Sequence, residues 1–81
     1  MYKRQALDVV TGASGLLGSH VVEKLVKQGR SVRALVRPNS DTSFLESLGV
    51  EVLRGSLIDQ DFLNHALNGC NTLYHLSLIH I

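Results

Sequence analysis

The stretch TGASGLLGSH, residues 11–20, sets Gly12, Gly15 and Gly18 three apart, between two segments of different periodicity. Before it, LDVVT at residues 7–11 reads as a short strand with two adjacent valines. After it, Leu17, Val21, Val22, Leu25 and Val26 recur at helical spacing over residues 16–28, and Glu23, Lys24, Lys27 and Gln28 form the wetter side. Glycine loses more backbone freedom on ordering than any other residue. Three of them at regular intervals, in a turn from strand to helix, point to a backbone that something must approach closely.

The rest of the chain repeats the alternation. Gly29 stops the first helix at a position that favours left-handed backbone. SVRALVR, residues 31–37, predicts a second strand with Val32, Ala34 and Val36 on one face, and Pro38 ends it in the polar turn PNSDTS. Phe44, Leu45 and Leu48 predict a short helix, closed by Gly49. VEVLRG, residues 50–55, is a third strand. Asp59 caps a helix running through residue 68, with Phe62, Leu63, Ala66 and Leu67 inward, and Gly69 ends it. NTLYHL, from residue 71, begins a fourth strand. The order β-α-β-α-β-α-β predicts an α/β fold with a parallel sheet. Right-handed crossovers then give strand order 3-2-1-4, the N-terminal half of a doubly wound Rossmann sheet, truncated after its fourth strand.

Length and composition fit one small domain. The chain has 81 residues, is 44% hydrophobic and 19% charged, and carries a formal net charge of +1. That balance gives no support to a polyanion-binding surface, and the basic residues lie scattered among acids with few aromatics, so no nucleic-acid partner is expected. No apolar run approaches the length of a membrane span, so no membrane partner is expected either. The single cysteine, Cys70, rules out a disulfide framework within one chain and fits a reducing, cytoplasmic setting. It reads as a small packed side chain. The four histidines, His20, His65, His75 and His80, have no ligand spacing with one another on one helix, so no metal is expected.

A glycine-rich turn entering a helix presents free backbone N–H groups at the positive end of the helix dipole, which makes an anion site. In this setting Gly12 permits the tight turn out of the strand. Gly15 removes a side chain where a pyrophosphate approaches, and Gly18 allows close helix packing. Ser14 offers its hydroxyl to a phosphate oxygen. The end of the second strand is where an adenosine ribose is met: an acid there holds the 2′-hydroxyl of NAD, whereas an arginine accommodates the 2′-phosphate of NADP. This chain has Arg37 at that end and no acid until Asp41. A guanidinium pairs with phosphate in a fork, so NADP is the expected cofactor, with NAD the alternative. Arg33 lies on the same face, deeper in the strand, and carries less weight.

The segments VVTGASGLLGSHVVEKLVKQG, VRALVR, LRGSL and ALNGCNTLYHL together resemble the N-terminal part of an extended short-chain dehydrogenase/reductase, of the epimerase/dehydratase superfamily and its dihydroflavonol-reductase-like branch. The resemblance runs from about residue 7 to about residue 75. It implies that Gly12, Ser14, Gly15, Leu16, Leu17 and Gly18 wrap the pyrophosphate and that Arg37 meets the 2′-phosphate. After the third strand such proteins have an aspartate that contacts the adenine amino group, followed by an apolar residue. Here Ser56 and Leu57 stand there, and a serine implies a weaker or water-bridged adenine contact. The resemblance also implies hydride transfer assisted by a Tyr-x-x-x-Lys pair. This chain has none: Tyr2 is followed at that spacing by Ala6, and Tyr74 by Leu78. The reading is therefore of a fragment, residues 1–75 being a partial NAD(P)-binding domain without catalytic residues, inactive alone, with the substrate-binding part beyond Ile81.

Residues 76–81, LSLIHI, do not continue the pattern, because Leu78 and Ile79 are large where small residues fit beside a cofactor. They also match the translation of a transposase adapter used in sequencing libraries, so a non-native tail is expected there, with a genuine apolar strand end, which the same alternation fits, as the alternative. Three functions remain open. The first is an NADPH-dependent oxidoreductase acting on a small-molecule carbonyl or hydroxyl substrate. The second is an NAD-dependent sugar-nucleotide epimerase or dehydratase, and the third a non-catalytic NADP-sensing regulator. The sequence gives no oligomeric state.

Overall fold

The computed structural model describes residues 7–75. Its elements are β1 (Leu7–Thr11), α1 (Leu16–Lys27), β2 (Ser31–Val36), α2 (Ser43–Ser47), β3 (Glu51–Arg54), α3 (Gln60–Ala66) and β4 (Thr72–His75). The four strands form one parallel sheet in the order β3-β2-β1-β4, as the alternation of strand and helix predicts. The expected tail at 76–81, and Leu76 of the fourth strand, lie outside the described residues.

Side-chain alternation along the strands divides the core into two layers. Val10, Val32, Ala34 and Val36 face one way and pack against Val22 and Leu25 of α1 and Leu45 of α2. Val9 and Leu35 face the other way, where Ala66 of α3 closes over them with Leu53, Phe62 and Leu67. The two central strands, β1 and β2, are buried on both faces and read as near-continuous apolar runs, as strands of a parallel sheet do. The first two crossovers step outward from β1 and put α1 and α2 on one face. The third returns past β1 and puts α3 on the other.

The amino ends of the strands are tied by polar contacts. Asp8 has no solvent exposure, and the guanidinium of Arg30 grips its carboxylate in a fork: Nε donates to Oδ2, and Nη2 donates to Oδ1 at 2.8 Å. Asn71 joins β4 to β1, its N–H donating to the Leu7 carbonyl at 2.8 Å while its Oδ1 accepts from the Leu7 N–H at 2.8 Å.

Three expectations are corrected. Leu17 is 64% exposed rather than inward, because the first turn of α1 stands beside the glycine loop, where the sheet has already ended. Under α2, Leu45 is buried and Leu48 packs partly against the same layer, while Phe44 is 47% exposed. The third strand is limited to Glu51–Arg54. The last helix ends at Ala66, with Leu67 as its C-cap, short of residue 68. Its end is set by Arg33, whose Nη1 donates to the carbonyls of Ala66 at 2.7 Å and Asn68 at 2.9 Å. Arg33 also pairs with Glu51 at 2.7 Å.

Candidate functional site

All four strands run parallel, so their carboxyl ends lie along one edge of the sheet. At that edge the chain order reverses: β1 is flanked by β2, reached through α1, and by β4, reached through α3 on the opposite face. Ligands of open α/β sheets bind in the crevice such a reversal leaves. The turn between β1 and α1 opens there.

Each glycine of that turn answers to a separate constraint. Gly12 has φ +66°, a left-handed backbone that a side chain makes costly. At Gly18, an added Cβ would lie 2.2 Å from the Gly12 carbonyl oxygen and 2.8 Å from the Ala13 Cα, so α1 packs directly onto the loop's own backbone. Gly15 meets neither limit. Its φ is −74°, and an added Cβ would touch only the Gly12 oxygen, at 3.4 Å.

The mouth of α1 is left open by the chain. Gly15 is its N-cap and makes no side-chain cap bond, and the first turn carries no acid. The amides of Leu16, Leu17 and Gly18 therefore have no side-chain acceptor at the cap, where a helix normally recruits one. The contrast with α3 is direct: the carboxylate of Asp59 accepts from the N–H groups of Asp61 at 3.0 Å and Phe62 at 3.2 Å. Around the open mouth, Ser14 is exposed, and Leu16 is 80% exposed.

Arg37 follows the last residue of β2 and is exposed. Among the described residues its guanidinium makes no ion pair or hydrogen bond, whereas the other described arginines are engaged within the fold. Arg30 holds Asp8 and Arg33 ends α3. Arg54, opposite Val36 in the sheet, donates to the carbonyls of Pro38 at 3.1 Å and Ser40 at 2.9 Å and to the Thr42 hydroxyl at 2.8 Å. The acid nearest in sequence to Arg37, Asp41, is engaged by Ser43: its Oδ1 accepts from the Ser43 N–H at 3.0 Å and the Ser43 hydroxyl at 2.7 Å. The Ser43 amide, then the Ser43 hydroxyl, hold the Asp41 carboxyl below the ordinary aspartate range, with the charge of Arg54 adding to this.

At the end of β3, Ser56 is exposed, and its hydroxyl oxygen accepts from the Ile58 N–H at 3.3 Å. Leu57 is half-buried and packs into the α3-side layer, where a shallow apolar cleft is lined by Thr11, Leu63, Leu67, Leu73 and His75 beside it. Ile58 projects outward, 95% exposed. On the far side of the crevice, the Thr11 hydroxyl lies 3.0 Å from Nδ1 of His75, joining the ends of β1 and β4. Among the described residues no group of three or more His, Cys, Asp or Glu is placed to hold a metal ion. No helix among them is long and apolar enough to cross a membrane.

The structure thus brings the glycine turn, Ser14, Arg37 and Ser56 to one edge of the sheet. Sequence reasoning missed Arg54, Thr42 and the Thr11–His75 contact. The role of Arg54 depends on which residue of β2 it faces.

A parallel sheet in this order, with a glycine turn feeding an uncapped helix at the point of reversal, defines a Rossmann-type dinucleotide-binding unit. The chain belongs to the NmrA-like family, whose sequence model matches residues 5–78. It is 43% identical over 67 residues to sterol demethylase protein B of Methylococcus capsulatus, the match covering 83% of this chain and 20% of that protein. It is 37% identical over 70 residues to the 4-hydroxy-2-methyl-3-oxo-4-farnesyl-3,4-dihydroquinoline-1-oxide ketoreductase of Stigmatella aurantiaca, covering 86% of this chain and 21% of that one. Among solved structures, a short-chain dehydrogenase/reductase superfamily protein from Agrobacterium tumefaciens with bound NAD superposes with a TM-score of 0.73 at 34% identity, covering 93% of this chain and 21% of the other. The chain spans about a fifth of the length of the curated relatives it matches.

Proposed function

We propose that this chain forms the adenosine- and pyrophosphate-binding part of an NADPH-dependent oxidoreductase acting on a small-molecule carbonyl or hydroxyl substrate. The observation that carries the reading is Gly15. The fold needs Gly12 for its φ and Gly18 for its clearance, but nothing among the described residues requires a glycine at the N-cap of α1. A ligand that must reach the backbone does.

The residues present fit such a ligand. The amides of Leu16, Leu17 and Gly18 would receive the pyrophosphate, and the Ser14 hydroxyl would donate to one of its oxygens. Arg37, without a partner among the described residues, would pair with the 2′-phosphate, while Ser56 and Leu57 would border the adenine. The nicotinamide, when bound, supplies or accepts the hydride. This chain's share of the chemistry is to orient the dinucleotide across the crevice. The ketoreductase named among the relatives supports a reductive reaction. The NAD held by the Agrobacterium protein supports a second reading, an NAD-dependent epimerase or dehydratase, and the guanidinium of Arg37 weighs against it.

Titration of the full-length protein with NADP+ and NAD+, followed by intrinsic or nucleotide fluorescence, tests the proposal. NADP+ is expected to bind more tightly than NAD+, and Arg37→Asp is expected to weaken NADP+ by at least about tenfold while NAD+ changes little. Tighter binding of NAD+ selects the second reading. Binding of neither, or binding untouched by both Arg37→Asp and Gly15→Ala, refutes the site.

A further inference from the structure

The hydrogen bonds around Arg54 give it a task beyond the strand it belongs to. Its guanidinium is the centre of the β2–α2 connection, reaching the carbonyls of Pro38 and Ser40 and the hydroxyl of Thr42. Thr42 is only 3% exposed, and its hydroxyl in turn donates to Glu46 of α2 at 2.5 Å. The same loop begins with a turn in which the Ser40 N–H donates to the Arg37 carbonyl at 3.0 Å. Three acceptors drawn from successive alternate residues fix the path of 38–42. That path decides two things at once: Arg37 is left projecting at the end of β2, and Asp41 is directed into the first turn of α2, where Ser43 holds it.

We propose that Arg54 is a positioning residue for cofactor selection: by holding the loop of residues 38–42, it keeps the Asp41 carboxylate away from Arg37 and so leaves Arg37 available to a ribose 2′-phosphate. The inference rests on the dinucleotide reading given above. An acid four residues along a flexible loop is close enough to neutralise an arginine, and a carboxylate near the 2′ position repels phosphate while accepting a bond from a hydroxyl. Arg54 therefore acts through geometry and touches neither phosphate nor ribose.

The test compares equilibrium binding of NADP+ and NAD+ to the full-length protein and its variants. Arg54→Met, which keeps length and removes the donors, is expected to weaken NADP+ by about tenfold and to change NAD+ by less than about twofold. Adding Asp41→Asn to that variant is expected to restore most of the NADP+ affinity, because the released side chain no longer carries charge. Equal weakening of both dinucleotides, no change in either, or no rescue by Asp41→Asn overturns the proposal. Arg54→Lys, with a single ammonium in place of the fork, keeps the test available should the methionine variant not fold: the same selectivity loss in smaller degree is expected, and an unchanged ratio overturns it. Arg37→Ala separates the two levels. If it leaves the NADP+ to NAD+ ratio unchanged, the reading of Arg37 fails and takes this inference with it. If it lowers the ratio but the Arg54 variants do not, the positioning role alone falls.

Discussion

A methyl group at Gly18 would sit 2.2 Å from a carbonyl oxygen, whereas at Gly15 it would meet the same oxygen at 3.4 Å. This difference separates the fold from the proposed binding role at two positions of one turn. Gly18→Ala is expected to destabilise the full-length protein by about 2–3 kcal/mol, because backbone must move to admit the side chain. Gly15→Ala is expected to change stability by less than about 1 kcal/mol, the poorer N-cap being offset by lower unfolded-chain entropy, while dinucleotide affinity falls at least about tenfold. Denaturant unfolding and ligand titration on the same two variants check both statements. Asp8 carries a different risk. Its carboxylate is wholly buried, and removing its partner by Arg30→Met is expected to destabilise the protein, because a buried charge loses its counter-ion. Denaturant midpoints would measure that cost.

The helices differ in how their amino ends are satisfied, and this can be tested one element at a time. Asp59→Ala removes the acceptor for the amides of Asp61 and Phe62 and is expected to cost about 1 kcal/mol with no change in dinucleotide affinity. Asp41 contributes differently with pH. Its carboxyl is held below the ordinary aspartate range by Ser43, so its contribution is complete above that range and is lost as pH falls through the lowered value. Melting of Asp41→Asn should accordingly show a weaker acid-side decline than the wild type, and identical pH profiles would contradict the assignment. The elements themselves were legible in the sequence. Valine pairs, the Asp59 cap and the glycines after each helix are local signals, and Gly29, Gly49 and Gly69 all take positive φ as those signals require. What the sequence concealed was long-range. Leu17 fits the helical stripe but overhangs the sheet. Arg33 and Arg54 look like any strand charge until the sheet register and α3 bring carbonyls to them. The empty space at Gly15 is likewise visible only once the Gly12 carbonyl is placed. No local pattern encodes which of several arginines will be spent on the fold.

For the whole molecule, the sheet order places β4 at one edge, with Leu73 46% exposed beside the apolar cleft under α3. An edge strand with an uncovered apolar side chain invites association. The 81-residue polypeptide by itself is expected to be poorly soluble or partly molten, and a single sharp calorimetric transition from a monomer would contradict this.

The Asp8–Arg30 fork and the Asn71 clasp lie at the opposite end of the strands from the glycine turn, Arg37 and Ser56. The buried ion pair thus lies at one pole and the proposed recognition site at the other. On the proposed reading, a protein so polarised can exchange its preferred nucleotide by edits confined to the upper rim while the lower clamp carries on unaltered. Substitutions that relax the clamp should reduce how much protein survives folding, yet the copies that do fold should choose between nucleotides as before.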